Sequence, residues 1–250
     1  VVLRRLHGGP GLHQRERLDH RFRADLEKVI GTVPARLGVA VSGGPDSLAL
    51  LLLANSGYPG SIEAATVDHG LRPASGAEAQ SVAAACADLA VPHRILRPDW
   101  TEPPAANLQA AAREVRYAAL GAWASDRDIE WIATAHHLDD QAETLLMRLA
   151  RGSGIAGLSG IRAASLLGSE GQPVWIVRPL LGWRRQELAD LVVESGLSAA
   201  DDPSNRDERF DREGRPRAAY QTNHGPVTIA TADCCDRVTP SGVTVGPGRT

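Results

Sequence analysis

The six residues Ser42-Gly43-Gly44-Pro45-Asp46-Ser47 stand between two apolar runs, 37–41 and 48–54, and that setting dictates a strand, a tight glycine turn and a helix. Two adjacent glycines let main-chain amides close on a ligand. Ser42 and Ser47 add hydroxyls, and a helix starting near Asp46 aims its unpaired N–H groups into the turn. Such a turn suits an anion, above all phosphate. It is not the common mononucleotide loop GxxxxGK[ST], because Asp46 stands where that pattern needs lysine. A carboxylate beside a polyphosphate is repelled unless a divalent cation lies between them, so Asp46 predicts Mg²⁺ bridging to phosphate oxygens. Alone, the same turn also fits a plain strand-to-helix connection.

The pattern around the turn extends it into a fold. Leu18, Phe22, Leu26 and Val29 fall at helical spacing and predict an amphipathic helix beside the first strand. Beyond it, strand candidates at 37–41, 62–67, 93–96, 131–135 and 174–177 alternate with helix candidates at 46–54, 77–90, 107–124 and 138–149. A further helix is expected at 184–195. The alternation predicts an α/β fold: an open, mostly parallel twisted sheet with helices on both faces. In such sheets ligands bind outside the carboxyl ends of the strands, and each polar cluster in this chain falls just after a strand. The domain reading is an N-terminal extension and helix over 1–35, a catalytic domain over 36–212, and an atypical tail over 213–250. That last segment contains no leucine and shows neither strand nor helix period, so it reads as unfolded or foreign.

Composition narrows the class. No stretch approaches 18 consecutive apolar residues and residues 1–14 hold no continuous apolar core, so a soluble, cytoplasmic protein with no membrane partner is expected. Cys86 stands alone on a helical face with Val82 and Leu89, which suits core packing, and Cys234-Cys235 is not a CxxC pair. A net charge of −3 argues against a uniformly basic nucleic-acid binder, although 26 arginines against the single Lys28 leave room for a basic patch.

Four further clusters carry chemistry. Asp68-His69-Gly70-Leu71-Arg72 closes the second strand and would set backbone groups near a base or ribose; it also fits an ordinary Asp/Gly turn. Asn107, Arg113, Arg116 and Tyr117 share one helix, where Arg113 and Arg116 either face the crevice as anion contacts or lie in solvent. His136-His137-Leu138-Asp139-Asp140-Gln141-Ala142-Glu143 packs histidines and carboxylates across a strand end and the next helical turn, where Asp139 or Asp140 can cap the helix. Adjacent histidines diverge on an extended backbone and HExxH spacing is absent, so zinc is disfavoured against a carboxylate meeting the Asp46 cation. Arg151-Gly152-Ser153-Gly154, with Gly157 and Gly160, is either a linker or a lid.

Taken in order, these residues resemble the tRNA(Ile)-lysidine synthetase family, a branch of the N-type ATP pyrophosphatases. The resemblance runs over about 37–212 through SGGPDS at 42–47, DHGLR at 68–72, NLQAAAREVRY at 107–117, ATAHHLDDQAET at 133–144, RGSGIAGLSG at 151–160, RPLL at 178–181 and DPSNRDERFDR at 202–212. It implies ATP-dependent ligation of lysine to C2 of the anticodon wobble cytidine, through an adenylated tRNA intermediate. The implied cofactors are ATP and Mg²⁺, and the implied partners are tRNA(Ile) with a CAU anticodon and free L-lysine, with a homodimer left open. Ser42, Gly43, Gly44, Pro45, Asp46, Ser47, Asp68 and His69 are the expected ATP contacts, with Asp46 on Mg²⁺. Asp46, Asp140 and Arg113 are the expected catalytic residues, and Arg113, Arg116, His137, Asp140 and Arg151 the expected substrate contacts.

After Arg212 the chain departs from that family, whose further helix and tRNA-gripping domains do not follow; a truncation or frameshift near Glu213 is the expectation. Two other readings compete. One is another ATP pyrophosphatase, such as a tRNA thiolation enzyme, which the solitary Cys86 weakens, or a glutamine-dependent synthetase. The other is an ATP-binding remnant without catalysis.

Overall fold

Leu48 to Ala54 are all buried in one helix, which is possible only if that helix is covered on every side. The computed structural model describes residues 11–70, 73–98, 108–152, 159–167 and 173–197. The chain divides into two units, Val1–Asn205 and Arg206–Thr250, and every described residue belongs to the first. Its elements run α1 (Gly11–Ile30), β1 (Leu37–Ala40), α2 (Pro45–Gly57), β2 (Ile62–Val67), α3 (Ser75–Asp88), β3 (His93–Leu96), α4 (Leu108–Asp126), β4 (Trp131–Ala133), α5 (Leu138–Ala150), β5 (Ala164–Leu167), β6 (Val174–Val177) and α6 (Arg185–Ser195).

The strands form one sheet in the order β3-β2-β1-β4-β6-β5. All neighbours are parallel except β5, which runs antiparallel to β6 at the edge. Val39 of β1 lies opposite Ala64 of β2 and Ala133 of β4, so β1 is central. The two-residue period of the strands sorts their side chains between two cores. Leu37, Val39, Ile62, Ala64, Ala133 and Val177 meet α1, α2, α3 and α6 on one face. Ala65, Ile132, Val174 and Ile176 meet Leu120, Trp123 and Ala124 of α4 on the other. Right-handed crossovers require this division, since the chain winds outward from β1 to β3 and then returns through α4 to β4.

Phe22 and Leu26 of α1 are fully buried in the larger core, so the N-terminal helix is part of the sheet's packing rather than an appendage. Cys86 is buried in the same core, and burial pushes its thiol up to about 12. β5 is the strand that the sequence pattern does not predict: Ala-Ser-Leu-Leu has no β-branched residue and lies half-exposed at an edge. β4 stops at Ala133, short of the expected 135, although the Thr134 amide still donates to the Val177 carbonyl at 2.9 Å.

Candidate active site

Strand order reverses between β1 and β4, and there the loops leaving neighbouring parallel strands part to open a crevice. A cavity of about 520 Å³ occupies it. Ser42, Gly44, Pro45, Asp46 and Ser47 line it from the loop after β1; Thr134, His136 and Asp140 line it from the segment after β4. His69, Ser75 and Glu78 add the segment after β2, and Arg116, Tyr117 and Leu120 add one side of α4.

The glycine turn is held by its own hydroxyls. Ser47 Oγ donates to the Gly44 carbonyl at 2.9 Å and accepts from the Ser42 amide at 3.1 Å, with Ser42 Oγ at 3.2 Å. Ser47 therefore braces the turn, a use that the sequence reading of it as an anion contact did not include. Gly43 adopts φ +92°, in the range that favours glycine. Gly44 is the N-cap of α2 and Pro45 opens it, where a missing N–H costs nothing. The turn thus delivers the positive end of a buried helix to the cavity.

His137 lies behind the lining and is buried. Its Nε2 is 3.4 Å from Asp46 Oδ2, and its Nδ1 is 3.6 Å from Asp139 Oδ2 and 3.7 Å from Asp140 Oδ2. Burial disfavours the charged ring, but the Asp46 bond and the charges of Asp140, Asp46 and Asp139 outweigh it and raise its pKa above the ordinary value. His136 behaves oppositely. Burial first, then the positive charge of Arg178, lowers it to about 4, and its Nδ1 lies 3.1 Å from Thr134 Oγ1. Of the two candidate helix caps, Asp140 serves: its Oδ2 accepts the His137 amide at 2.9 Å. Asp139 instead accepts the Arg185 amide at the start of α6, also at 2.9 Å.

The remaining predicted residues sort by position. Asp68 turns away from the lining; its carboxylate accepts from Ser75 Oγ at 2.7 Å and the Gly70 amide at 3.1 Å, and pairs with Arg97 at 3.5 Å. These contacts, Ser75 foremost, hold it below the ordinary carboxylate value. His69 lines the cavity, with its pKa lowered by burial and by Arg116. Arg113 is exposed and lies over the Tyr117 ring at 5.0 Å, one step outside the lining. Arg151 is exposed at the far end of α5, roughly 17 Å along the helix from Asp140. Arg72, Asn107, most of the 151–160 loop and the 201–212 motif lie outside the described residues. Sequence reasoning named His136 within the histidine–carboxylate cluster without giving it a role, and missed Thr134, Ser75 and Glu78 as cavity residues. The last two had a visible signal, since they open the helix that follows the Asp68 turn.

Asp46 has the features of a Mg²⁺ ligand. Its Oδ1 is buried with no hydrogen-bond partner, so one oxygen is left over after His137 has engaged the other. Among the described residues no group of three or more His, Cys, Asp or Glu side chains is arranged for a metal. A single carboxylate suits Mg²⁺, which completes its octahedron with water and substrate phosphates.

A doubly wound sheet with a lysine-free glycine turn, a carboxylate in the next helical turn and a nucleotide-sized cavity at the switch point defines a nucleotide-binding α/β protein. The family model for the PP-loop domain matches residues 16–217, and the chain belongs to that family, whose chemistry uses ATP. Proteins named tRNA(Ile)-lysidine synthase from Zymomonas mobilis and Novosphingobium aromaticivorans are each 50% identical to it, over 178 and 192 residues. Those matches cover 71% and 77% of this chain but 53% and 57% of the relatives, so the chain spans about half the length of the curated relatives it matches. Among solved structures, the U34-tRNA thiolase NcsA from Methanococcus maripaludis shares the fold, with a TM-score of 0.61, 17% identity, and coverage of 74% of this chain and 65% of that one. Among the described residues no helix is long and apolar enough to cross a membrane.

Proposed function

We propose that this chain joins free L-lysine to C2 of a cytidine in the CAU anticodon of tRNA(Ile), using ATP. In the first step the cytidine O2 attacks the α phosphorus of ATP and the bond to pyrophosphate breaks. In the second, the lysine amine attacks C2, the C2–O2 bond breaks, AMP leaves with the oxygen, and the amine sheds its proton. The observation that carries this reading is that the phosphate turn and the His136–Asp140 segment face one cavity, so a nucleotide held by one wall meets acid–base groups on the other.

The turn amides and the α2 N-terminus bind the outer phosphates, leaving the α phosphorus open to attack. Asp46 holds Mg²⁺, which when bound offsets the charge of the departing pyrophosphate. Arg116, on the cavity wall, and Arg113, over Tyr117, steady the adenylate or the cytidine. Asp140 has one oxygen committed to the His137 amide; the other orients the lysine amine or takes its proton. The 50% identity to proteins bearing the lysidine synthase name favours this chemistry over thiolation.

The test is incubation of the chain with labelled ATP, labelled lysine and a tRNA transcript carrying the CAU anticodon. AMP, pyrophosphate and lysine-labelled tRNA in equal amounts are expected. ATP bound with no AMP formed would leave only a binding remnant, and AMP formed without lysine transfer would point to a different RNA modification; either outcome overturns the proposal.

A further inference from the structure

α6 does not line the cavity, yet its first amide reaches the nucleotide site through two side chains. The Arg185 amide donates to Asp139 Oδ2 at 2.9 Å, that oxygen makes a charge contact with His137 Nδ1 at 3.6 Å, beyond hydrogen-bond length, and His137 Nε2 lies 3.4 Å from Asp46 Oδ2. The imidazole between these carboxylates is buried. Each carboxylate on the Nδ1 side is anchored by a backbone amide: Asp140 by the cap of its own helix, and Asp139 by an amide of α6 that lacks an intrahelical partner. The segment before α6 is itself fixed. The Leu138 amide donates to the Trp183 carbonyl at 2.9 Å, and Trp183 Nε1 donates to Asp25 Oδ2 of α1 at 2.9 Å. At the other end of the row, the oxygen of Asp46 turned away from His137 is the buried one without a partner.

We propose that Asp139 is a positioning residue: it ties the start of α6 to His137 and, through that ring, fixes Asp46 so that its free oxygen faces the cation. The geometry separates this role from capping, because Asp140 already caps α5 and Glu187 already accepts the Arg184 amide that opens α6. Carboxylates that orient a ligand through an imidazole are supporting groups whose loss weakens metal binding without removing a ligand. The proposal rests on the assignment of Asp46 to Mg²⁺ and needs neither lysine nor tRNA.

The experiment measures binding of the α,β-methylene analogue of ATP to the full chain across a Mg²⁺ titration, together with the ring-nitrogen NMR signals of His137. Asp139→Ala is expected to raise the Mg²⁺ needed for half-maximal binding by roughly tenfold and to shift the His137 signals. Asp139→Asn keeps an oxygen for the Arg185 amide and serves if the alanine variant fails to fold; a smaller shift in the same direction is expected. Gln186→Ala removes an exposed side-chain hydrogen bond to Asp190 on α6 and leaves the Arg185 amide and His137 untouched, so it should leave the Mg²⁺ requirement unchanged. Asp139 variants with wild-type Mg²⁺ dependence and His137 signals would overturn the proposal. A wild-type chain whose nucleotide binding ignores Mg²⁺ would remove the Asp46 assignment and the proposal with it. Failure to form lysidine, with the Mg²⁺ effect present, would touch only the proposed function.

Discussion

His136 and His137 are adjacent, yet their surroundings drive them in opposite directions. His137 gains carboxylates on both nitrogens, so its stabilising effect is full below pH 6.5 and is lost as pH rises through its raised folded value. His136 gains burial and Arg178, and its folded value drops from 6.5 to about 4. Between those values the unfolded chain binds a proton that the folded chain does not, so stability falls as pH drops from 6.5 to about 4, by on the order of 3 kcal/mol for this group. His136→Gln should therefore lose less of its urea midpoint over that pH range than the wild type does. Equal losses in the two proteins would show that the ring is not buried neutral. Asp46 yields a second prediction at this scale. Asp46→Ala removes the carboxylate proposed to hold the cation, so the proposed pyrophosphate release should fall by roughly 100-fold or more, and the melting temperature should drop as well because buried His137 loses a partner. Unchanged release would end its assigned role. The place of Asp46 on the cavity wall was legible in the sequence, because the residue follows a glycine turn between a strand and a helix. His137's partnership with it was not, because it depends on two strands, β1 and β4, lying side by side.

The elements expected from the sequence carried either an amphipathic period, as in α1, or a continuous apolar run beside the glycine turn, as in α2. β2, β3 and β6 match their expected bounds, and α2 through α6 differ from theirs by a few residues at their ends, where a hydrophobic pattern carries little information. β5 escaped because an edge strand with one exposed side needs neither β-branched residues nor a continuous apolar run. Its pairing with β6 is accompanied by Arg178, whose Nη1 donates to the Arg162 carbonyl at 2.8 Å and to Ser165 Oγ at 3.1 Å, contacts that no local pattern encodes. Packing between elements was equally hidden. A methyl group on Gly38 of β1 would lie 3.1 Å from the Trp123 ring and from Ile129, so the missing side chain lets α4 close on the sheet. Both neighbours are buried. Gly38→Ala should cost about 1–3 kcal/mol by forcing α4 outward, measured as a fall in urea midpoint at unchanged slope. A variant as stable as the wild type would mean that α4 has slack at this point.

At the scale of the whole molecule, the sequence placed the clusters at 42–47, 68–72 and 136–143 after strands but could not say which strands are neighbours. The order β3-β2-β1-β4 makes β1 and β4 adjacent across the reversal of winding, and only that adjacency turns two separate motifs, at 42–47 and 134–140, into the walls of one cavity. Handedness and parallel pairing restrict the possible orders without choosing among them, so the motifs come from the sequence and their adjacency from the fold. Composition sets residues 213–250 apart from the rest of the chain. Every core residue among those described lies between Phe22 and Val192, and residues 213–250 contribute no leucine that a core could use. If that segment adds nothing to the folded unit, deleting it should leave the urea midpoint unchanged to within about 0.5 kcal/mol and nucleotide binding unaltered. Burial of even one large apolar side chain from the segment would contribute about 1.5–3 kcal/mol, well outside that margin. A loss of that size on deletion would place part of the segment against the folded unit and move the domain boundary beyond residue 212.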